Sequence, residues 1–276
     1  MMRKAAVILA SLLLSVSAFC QQLDSLEFDR YRGLDSLLTQ FYSALELEDV
    51  DVKGREMDNL ISMCKDSLAR QHVALQIFDH YRYSRVMGEE SVAIHVFDEW
   101  IASGRIQTRS DFEMMDDELF VNFNRSSLLG MEAARISLFK PCGGRKEIPS
   151  EGRVSILFFY DTSCAKCRLE TQVLPQVVKD IDFPVDFHAV YVGTDRKSWN
   201  VFRKNFKLRN PNIRLVHLWD PEIESGYQKL YGVTGTPKMF VVEPTGTIIG
   251  RRLEMTNLIE MIPVMRAVHE TYEKYK

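Results

Sequence analysis

The feature that most constrains this chain is a pair of cysteines, Cys164 and Cys167, placed directly after an unbroken apolar run, Ile156–Tyr160. A short apolar run of this kind, followed by a helical pattern, is typical of a buried strand that leads into a helix. The cysteine spacing fits either half of a metal site or a dithiol that forms and breaks a disulfide. The strand-then-helix context favours the dithiol. A zinc site normally needs four ligands, and the sequence has no second Cys-x-x-Cys and no His-x-x-x-His, so we expect neither metal nor cofactor.

Strands alternate with helices from residue 130 onward. A hairpin around Gly143-Gly144 is predicted first, from residue 136 to 148, and a second hairpin pairs residues 239–242 with 248–251. Further strands are predicted at 156–160, 185–192 and 213–219, and helices at 168–179, 197–207, 222–231 and from about 256 onward. This order predicts an α/β domain with a mixed sheet flanked by helices.

The preceding region, residues 21–129, reads as an all-α domain. Its apolar residues recur at helical spacing, and Gly88 and Gly104 are predicted to mark helix ends. The clearest stripe contains Leu34, Leu37, Leu38, Phe41, Tyr42 and Leu45, and a second contains Met57, Leu60, Ile61, Cys64 and Leu68. A length of 276 residues supports two domains. The region has no motif from which its role can be read.

The first twenty residues have the pattern of an export signal. Arg3 and Lys4 precede the apolar run Val7–Val16, and small residues follow it. We expect residues 1–20 to be a signal peptide and the chain to reach a bacterial periplasm. Cleavage after Ala18 or after Cys20 is compatible with the pattern. Lipid anchoring through Cys20 is less favoured, because a lipoprotein signal has a small residue where this chain has Phe19. No other segment approaches the ~18 apolar residues of a membrane span.

Export places the remaining cysteines in an oxidising compartment, where structural disulfides are ordinary. The loop between Cys164 and Cys167 is short, so a disulfide there constrains little of the unfolded chain and is better suited to redox work. Cys64 lies on an apolar helical stripe and is predicted to be a packed core residue. Cys142 lies in a predicted turn, and a Cys64–Cys142 disulfide is left open.

The predicted helix start separates the roles of the two cysteines. Cys164 lies near unsatisfied N–H groups at the positive end of the helix dipole, which favours the thiolate, the attacking species. We therefore expect Cys164 to be the nucleophile and Cys167 to be the thiol that resolves the mixed disulfide. Lys166 either lowers the thiol pKa further or is an ordinary solvated lysine.

The segment from Ile156 to Cys167, together with Gly235-Thr236-Pro237, resembles a thioredoxin-fold domain of the periplasmic TlpA/ResA type over roughly residues 130–276. The resemblance implies that Pro237 is cis and lies against the dithiol, and that the backbone of Thr236 pairs with a substrate strand.

The same resemblance also implies a role for a carboxylate near the dithiol. Cytosolic thioredoxins carry a buried Asp where this chain has Phe158, whereas TlpA/ResA-like proteins often have a Glu at the position of Glu170. That carboxylate either takes the proton of Cys167 or is a surface residue favoured by the helix dipole. Two departures, Ser163 in place of an aromatic residue and Pro175 three residues beyond the usual helix proline, leave the reduction potential and the choice of client open.

The sequence thus predicts an exported thiol–disulfide oxidoreductase acting on disulfide-containing client proteins. The resemblance implies a reductant that is recharged by a membrane thiol donor. A thiol peroxidase is disfavoured, because that site needs Thr and Pro where the chain has Asp161 and Leu157. The alternative is a partner-binding protein in which the helical domain has the main role and the thioredoxin-like domain is a scaffold. A net charge of −3, without a Lys/Arg stripe, argues against nucleic acid.

Overall fold

The computed structural model describes residues 31–276. The predicted signal peptide and Cys20 lie outside these residues. The chain forms a helical region followed by a sheet region. The helical region consists of α1 (31–44), α2 (Val50–Met63), α3 (Ser67–Arg82), α4 (Glu90–Val96) with a wider helical turn (Phe97–Ala102), and α5 (Asp111–Asn124) with a 3-10 turn (Arg125–Ser127).

The sheet region has seven strands in the order β2-β1-β5-β4-β3-β6-β7. The strands are β1 (Ile136–Phe139), β2 (Arg145–Ile148), β3 (Val154–Tyr160), β4 (Val185–Tyr191), β5 (Ile213–Trp219), β6 (Lys238–Val242) and β7 (Ile248–Arg251), and the helices are α6 (Ala165–Val177), α7 (Arg196–Asn205), α8 (Tyr227–Tyr231) and α9 (Met255–Tyr275). Strands β3, β4 and β5 run parallel, while β6 is antiparallel to β3. The predicted mixed sheet is confirmed.

The central strand β3 is buried along its whole length, as its unbroken apolar run predicts. Successive side chains point to opposite faces of the sheet. Phe158 and Tyr160 face a core that includes Cys167 of α6 and Met265 of α9. Leu157 and neighbouring alternate residues face a second core, which α8 covers. The start of α6 is therefore fixed by a strand buried on both sides.

The helical region has a core of its own, and the predicted all-α character is confirmed. The predicted stripe from Met57 to Leu68 is wrong as one helix, because α2 ends at Met63 and Asp66 begins α3 by accepting the N–H of Ala69 at 2.9 Å. Gly88 is also not a helix end: α3 has already ended at Arg82, and Gly88 (φ 97°) lies before α4. Gly104 follows the helical turn that ends at Ala102, as predicted.

The helix predicted over 222–231 is shorter than expected. Asp220 accepts the N–H groups of Glu224 and Ser225, both at 3.0 Å, which holds this segment in a turn. Gly226 then adopts a left-handed conformation, and only Tyr227–Tyr231 is helical. The side chain of Asp220 therefore competes successfully with the helix for these backbone groups.

The helical region, through Met87 and Glu90, and the segment that directly follows it both lie against the edge strand β7. Gly130 N–H donates to Ile248 O at 2.9 Å, Ile248 N–H donates to Met131 O at 2.8 Å, and Arg251 N–H donates to Met87 Sδ at 3.3 Å. The buried guanidinium of Arg251 forms an ion pair with buried Glu90. These contacts join the two regions along one edge of the sheet. Within residues 31–276, no helix has the length and apolar character that crossing a membrane requires.

Candidate dithiol site

Cys164 is the N-cap residue of α6, with an extended backbone (φ −70°, ψ 118°). The turn between β3 and α6 is held by Asp161, which accepts the N–H of Ser163 at 2.7 Å and its hydroxyl at 2.6 Å. The first N–H groups of a helix have no partner within the helix. Here Cys164 Sγ accepts one of them, the N–H of Cys167, at 3.1 Å. The sulfur thus occupies the place that a Ser or Asp oxygen takes in an ordinary cap.

The turn that contains Pro237 brings a second backbone segment to the same sulfur. Cys164 Sγ lies 3.4 Å from Thr236 O, and the Thr236–Pro237 peptide is cis. The sequence-predicted residues Cys164, Cys167, Thr236 and Pro237 are therefore together in the structure. A second cis peptide, Ile148–Pro149, was not predicted.

The two cysteine sulfurs have opposite electrostatic environments. Burial raises the pKa of the Cys164 thiol, but hydrogen bonds with Cys167, Thr236 and the helix backbone outweigh burial, so that its pKa lies below the usual value. Cys167 is fully buried, and burial together with the hydrogen bond to Cys164 raises its pKa to about 12. Since the thiolate is the attacking species, Cys164 is the thiol prepared to react first.

Glu170 is buried on α6, three residues after Cys167. Its Oε2 has no hydrogen-bond partner in the described part of the chain, and its Oε1 lies 3.9 Å from Lys166 Nζ. Burial, opposed by Lys166, raises the pKa of the carboxyl group above its usual value. Of the two interpretations of Glu170, the surface carboxylate does not fit, because only 7% of the residue is exposed. A buried carboxylate with a raised pKa is suited to accept and return a proton.

Lys166 is paired mainly with a residue that sequence reasoning missed. Its Nζ lies 2.6 Å from Glu254 Oε1, and this hydrogen bond raises the pKa of the lysine. Glu254 is the N-cap of α9 and forms a capping box with Asn257. The usual capping-box signature has Ser or Thr at the cap and Glu or Gln three residues later, so neither this cap nor its pairing with Lys166 was predicted.

Two clefts flank the dithiol. One, of about 730 Å³, lies between the turn that contains Asp161 and Ser163 and the helix α7. The other, of about 840 Å³, lies where the helical region meets the end of β7 and the start of α9, and Arg85, Arg252 and Glu254 are among its lining residues. The dithiol site therefore adjoins both a groove of the sheet region and the junction with the helical region.

The remaining described cysteines lie outside this site. Cys64 is half-buried against the core of the helical region, and its thiol donates to Leu60 O at 3.5 Å. Cys142 is exposed in the turn between β1 and β2. Both are free thiols, so the disulfide left open by the sequence is not formed in this structure. Within residues 31–276, no group of three or more His, Cys, Asp or Glu side chains is arranged to hold a metal ion.

Comparison with known proteins finds a family model and solved structures that resemble part of this chain. Residues 152–248 match a family model described as thioredoxin-like. A thioredoxin-like protein from Bacteroides caccae is 12% identical, with 84% of this chain and 83% of that chain covered and a TM-score of 0.64. The thioredoxin domain of a thiol-disulfide oxidoreductase from Bacteroides vulgatus is 18% identical, with 50% of this chain and 98% of that domain covered and a TM-score of 0.44.

A thiol-disulfide oxidoreductase from Bacteroides fragilis is 19% identical, with 48% of this chain and 99% of that chain covered and a TM-score of 0.40. Among curated proteins, none matches the chain. The similarity to the Bacteroides caccae protein, at 12% identity, shows the fold, and its coverage extends beyond the sheet region. Residues 152–248 therefore resemble the thioredoxin-like family, in a chain that places a helical region before them.

Proposed function

We propose that this chain is an exported thiol–disulfide oxidoreductase that reduces disulfides in client proteins through Cys164 and Cys167. The observation that carries the proposal is the contrast between the two sulfurs. Cys164 caps a helix and has a lowered pKa, whereas Cys167, one turn further, is fully buried and has a raised pKa. This contrast supports an attacking thiolate beside a thiol that is held protonated until it is needed.

The reaction proceeds in two exchanges. The Cys164 thiolate attacks one sulfur of a client disulfide, which forms a mixed disulfide and releases the other client sulfur as a thiolate. The Cys167 thiol then loses its proton and attacks Cys164 Sγ, which forms the Cys164–Cys167 disulfide and releases the second client thiolate. The client gains two electrons and the dithiol loses two, so a thiol donor must reduce the chain again.

Glu170 is proposed to accept the proton of Cys167 during the second exchange. Its position one turn after Cys167, its free Oε2 and its raised pKa support this role. Direct hydrogen bonding is not required in the resting state, because catalytic contacts often tighten only when the substrate is bound. The proton taken from Cys167 would pass to the solvent once the client has left.

The backbone at Thr236 is proposed to pair with the client chain next to its disulfide. Its carbonyl lies beside Cys164 Sγ, and its residue is half-exposed. Export to the periplasm through residues 1–20, a thiol donor in the membrane and domain limits at residues 129 and 130 belong to the same proposal. They rest on the export pattern and on the resemblance to TlpA/ResA-type proteins.

The test is reduction of insulin by the purified chain, with dithiothreitol as the source of electrons. We expect turnover with the wild type and none with Cys164→Ser. Cys167→Ser should stop at the mixed disulfide, which a non-reducing gel detects. Cys142→Ser, which removes an exposed thiol outside the site, should leave the rate unchanged. Equal turnover by the wild type and Cys164→Ser contradicts the proposal.

The direction of exchange has its own test. Cys167→Ser expressed in the native envelope should trap client proteins through Cys164, and these clients should become oxidised, not reduced, when the gene is deleted. Clients that lose a disulfide on deletion would show that the chain acts as an oxidant.

A further inference from the structure

Two half-buried cations lie beside the dithiol and have no anionic partner among residues 31–276. Lys238 follows Pro237 directly, at the start of β6, and Arg252 follows the end of β7. Arg252 donates a hydrogen bond to the neutral amide oxygen of Asn124. Burial lowers the pKa of both groups. The positive charges of Arg252 and Lys166 lower the pKa of Lys238 further. We call these two residues the cationic rim.

Of the three carboxylates that line the cleft with Arg252, two are already engaged and the third, Glu260, is exposed on α9. Glu90 is bound by Arg251, and Glu254 is bound by Lys166 at 2.6 Å. Removing a charged group from water without a counter-ion is costly. The positive charges of Arg252 and Lys166 repel that of Lys238, which lies within electrostatic reach of both. An incoming anion would relieve both costs.

The position of the cationic rim points to a client chain as the source of that anion. The Thr236 carbonyl, beside Cys164 Sγ, is two residues from Lys238 along the chain. A strand that pairs with the backbone at Thr236 would therefore run past Lys238. Arg252 lines the cleft of about 840 Å³ at the junction of the two regions, so that a flanking segment has space to enter. Because Lys238 is within electrostatic reach of Arg252, an anionic side chain beside Arg252 is also attracted by Lys238.

We propose that the cationic rim selects client segments that carry acidic residues next to the reactive cysteine. This inference rests on the proposed function, because it deepens the choice of client for the same site. Carboxylates of the client would form charge-assisted hydrogen bonds with Lys238 and Arg252, which are stronger than bonds between neutral groups. The electrostatic attraction also speeds the encounter between the two chains.

A binding measurement tests the inference independently of redox activity. Two peptides are compared, each with serine in place of the reactive cysteine and flanked by either glutamates or glutamines. The full chain should bind the glutamate peptide about tenfold more tightly at low ionic strength, and added salt should reduce this preference. Lys238→Met should bring the ratio close to one. Lys179→Met, which removes an exposed positive charge just beyond the C-terminal end of α6, should leave the ratio unchanged.

Charge reversal keeps the test decisive if Lys238→Met is poorly folded. Lys238→Glu should invert the preference, so that a peptide flanked by lysines binds more tightly than the glutamate peptide, while Lys238→Arg should retain the original order. The urea midpoint of each variant reports whether it is folded. Equal binding of the glutamate and glutamine peptides by the wild type overturns the inference, as does a preference that survives both Lys238→Met and Lys238→Glu.

The same peptides with a cysteine disulfide separate this inference from the proposed function. Reduction of the glutamate disulfide about tenfold faster than the glutamine disulfide supports both. Reduction of both at equal rates keeps the oxidoreductase and overturns the acidic selectivity. Selective binding without reduction of either disulfide supports the cationic rim and contradicts the proposed activity.

Discussion

The helical region and the dithiol site treat their buried charges in different ways. In the helical region, buried Lys53 lies 2.5 Å from buried Glu89, and Arg82 lies 2.7 Å from buried Asp117. Around the dithiol, Glu170 keeps an oxygen without a hydrogen-bond partner, and Lys238 has no anion among the residues described. Paired buried charges hold elements in place, whereas perturbed, unpaired groups concentrate where chemistry or binding occurs.

Paired and unpaired buried charges can be direct neighbours in the sequence. Glu89 and Glu90 are neighbours at the start of α4, and each neutralises a buried cation: Glu89 binds Lys53 within the helical region, and Glu90 binds Arg251 of the sheet region. Arg252, the next residue, has no such partner within residues 31–276. At the junction of the two regions, Arg251 therefore stabilises the contact, whereas Arg252 can still bind an anion.

Removing one partner of a buried ion pair should have the largest effect, and this effect should be on the free energy of unfolding. Glu90→Gln leaves the Arg251 guanidinium buried without a counter-ion, and it should lower the free energy of unfolding by about 3 kcal/mol. Urea denaturation followed by tryptophan fluorescence measures the change. Glu99→Gln is the matched control, since its pair with Arg105 is exposed and spans 3.7 Å, and it should cost less than about 1 kcal/mol. Equal losses for the two variants would contradict the distinction.

Removing the unpaired carboxylate should slow the chemistry but not weaken the fold. Glu170→Gln should reduce the rate at which Cys167 resolves the mixed disulfide about 100-fold, because proton transfer then depends on water. Rapid quenching of a preformed mixed disulfide measures this rate.

The rate at which Cys167 resolves the mixed disulfide should also depend on pH. The pKa of Glu170 is raised, so its basic form is lost as the pH falls through that raised pKa, and the wild-type rate should fall with it. Glu170→Gln should lack this part of the profile. Glu270→Gln, on the exposed end of α9, provides the control. A wild-type profile that Glu170→Gln reproduces would assign the proton transfer to another group.

The smallest expected effect is a difference in thiol reactivity between one cysteine of the helical region and one of the sheet region. Burial raises the pKa of Cys64, whereas the hydrogen bonds described above outweigh burial and lower that of Cys164. At neutral pH, iodoacetamide should therefore modify Cys164 about tenfold faster than Cys64. Mass spectrometry of the digested protein follows both sites in a Cys142→Ser background. Similar rates at the two cysteines would show that the helix start does not activate Cys164.

Local spacing in the sequence was enough to predict the centre of the site. The apolar run before Cys164 and the helical pattern after Cys167 specify a strand and a helix, and the cysteine spacing then places both sulfurs in the first turn. The resemblance supplied the position of Thr236 and Pro237. These groups are linked by short-range geometry or by a motif, so one sequence carries enough information to bring them together.

The partners set by tertiary packing were beyond the sequence. Lys166 and Glu254 are 88 residues apart, and Arg251 lies 161 residues from Glu90. No periodicity links such positions, because both pairings depend on how α9 and the helical region dock against the sheet. The prediction of a helix over 222–231 failed for another reason. The carboxylate of Asp220 accepts backbone N–H groups that a propensity argument assigns to the helix, so only Tyr227–Tyr231 is helical.

The contacts along β7 also determine where another chain can extend the sheet. An edge strand with free backbone groups is a template for pairing with foreign strands. Met131, Gly130 and Met87 occupy the outward groups of β7, so this edge is closed by the chain itself. The opposite edge, β2, is short and carries the charged sequence Arg145-Lys146-Glu147. The molecule is thus protected from sheet-to-sheet aggregation by cover on one side and by charge on the other.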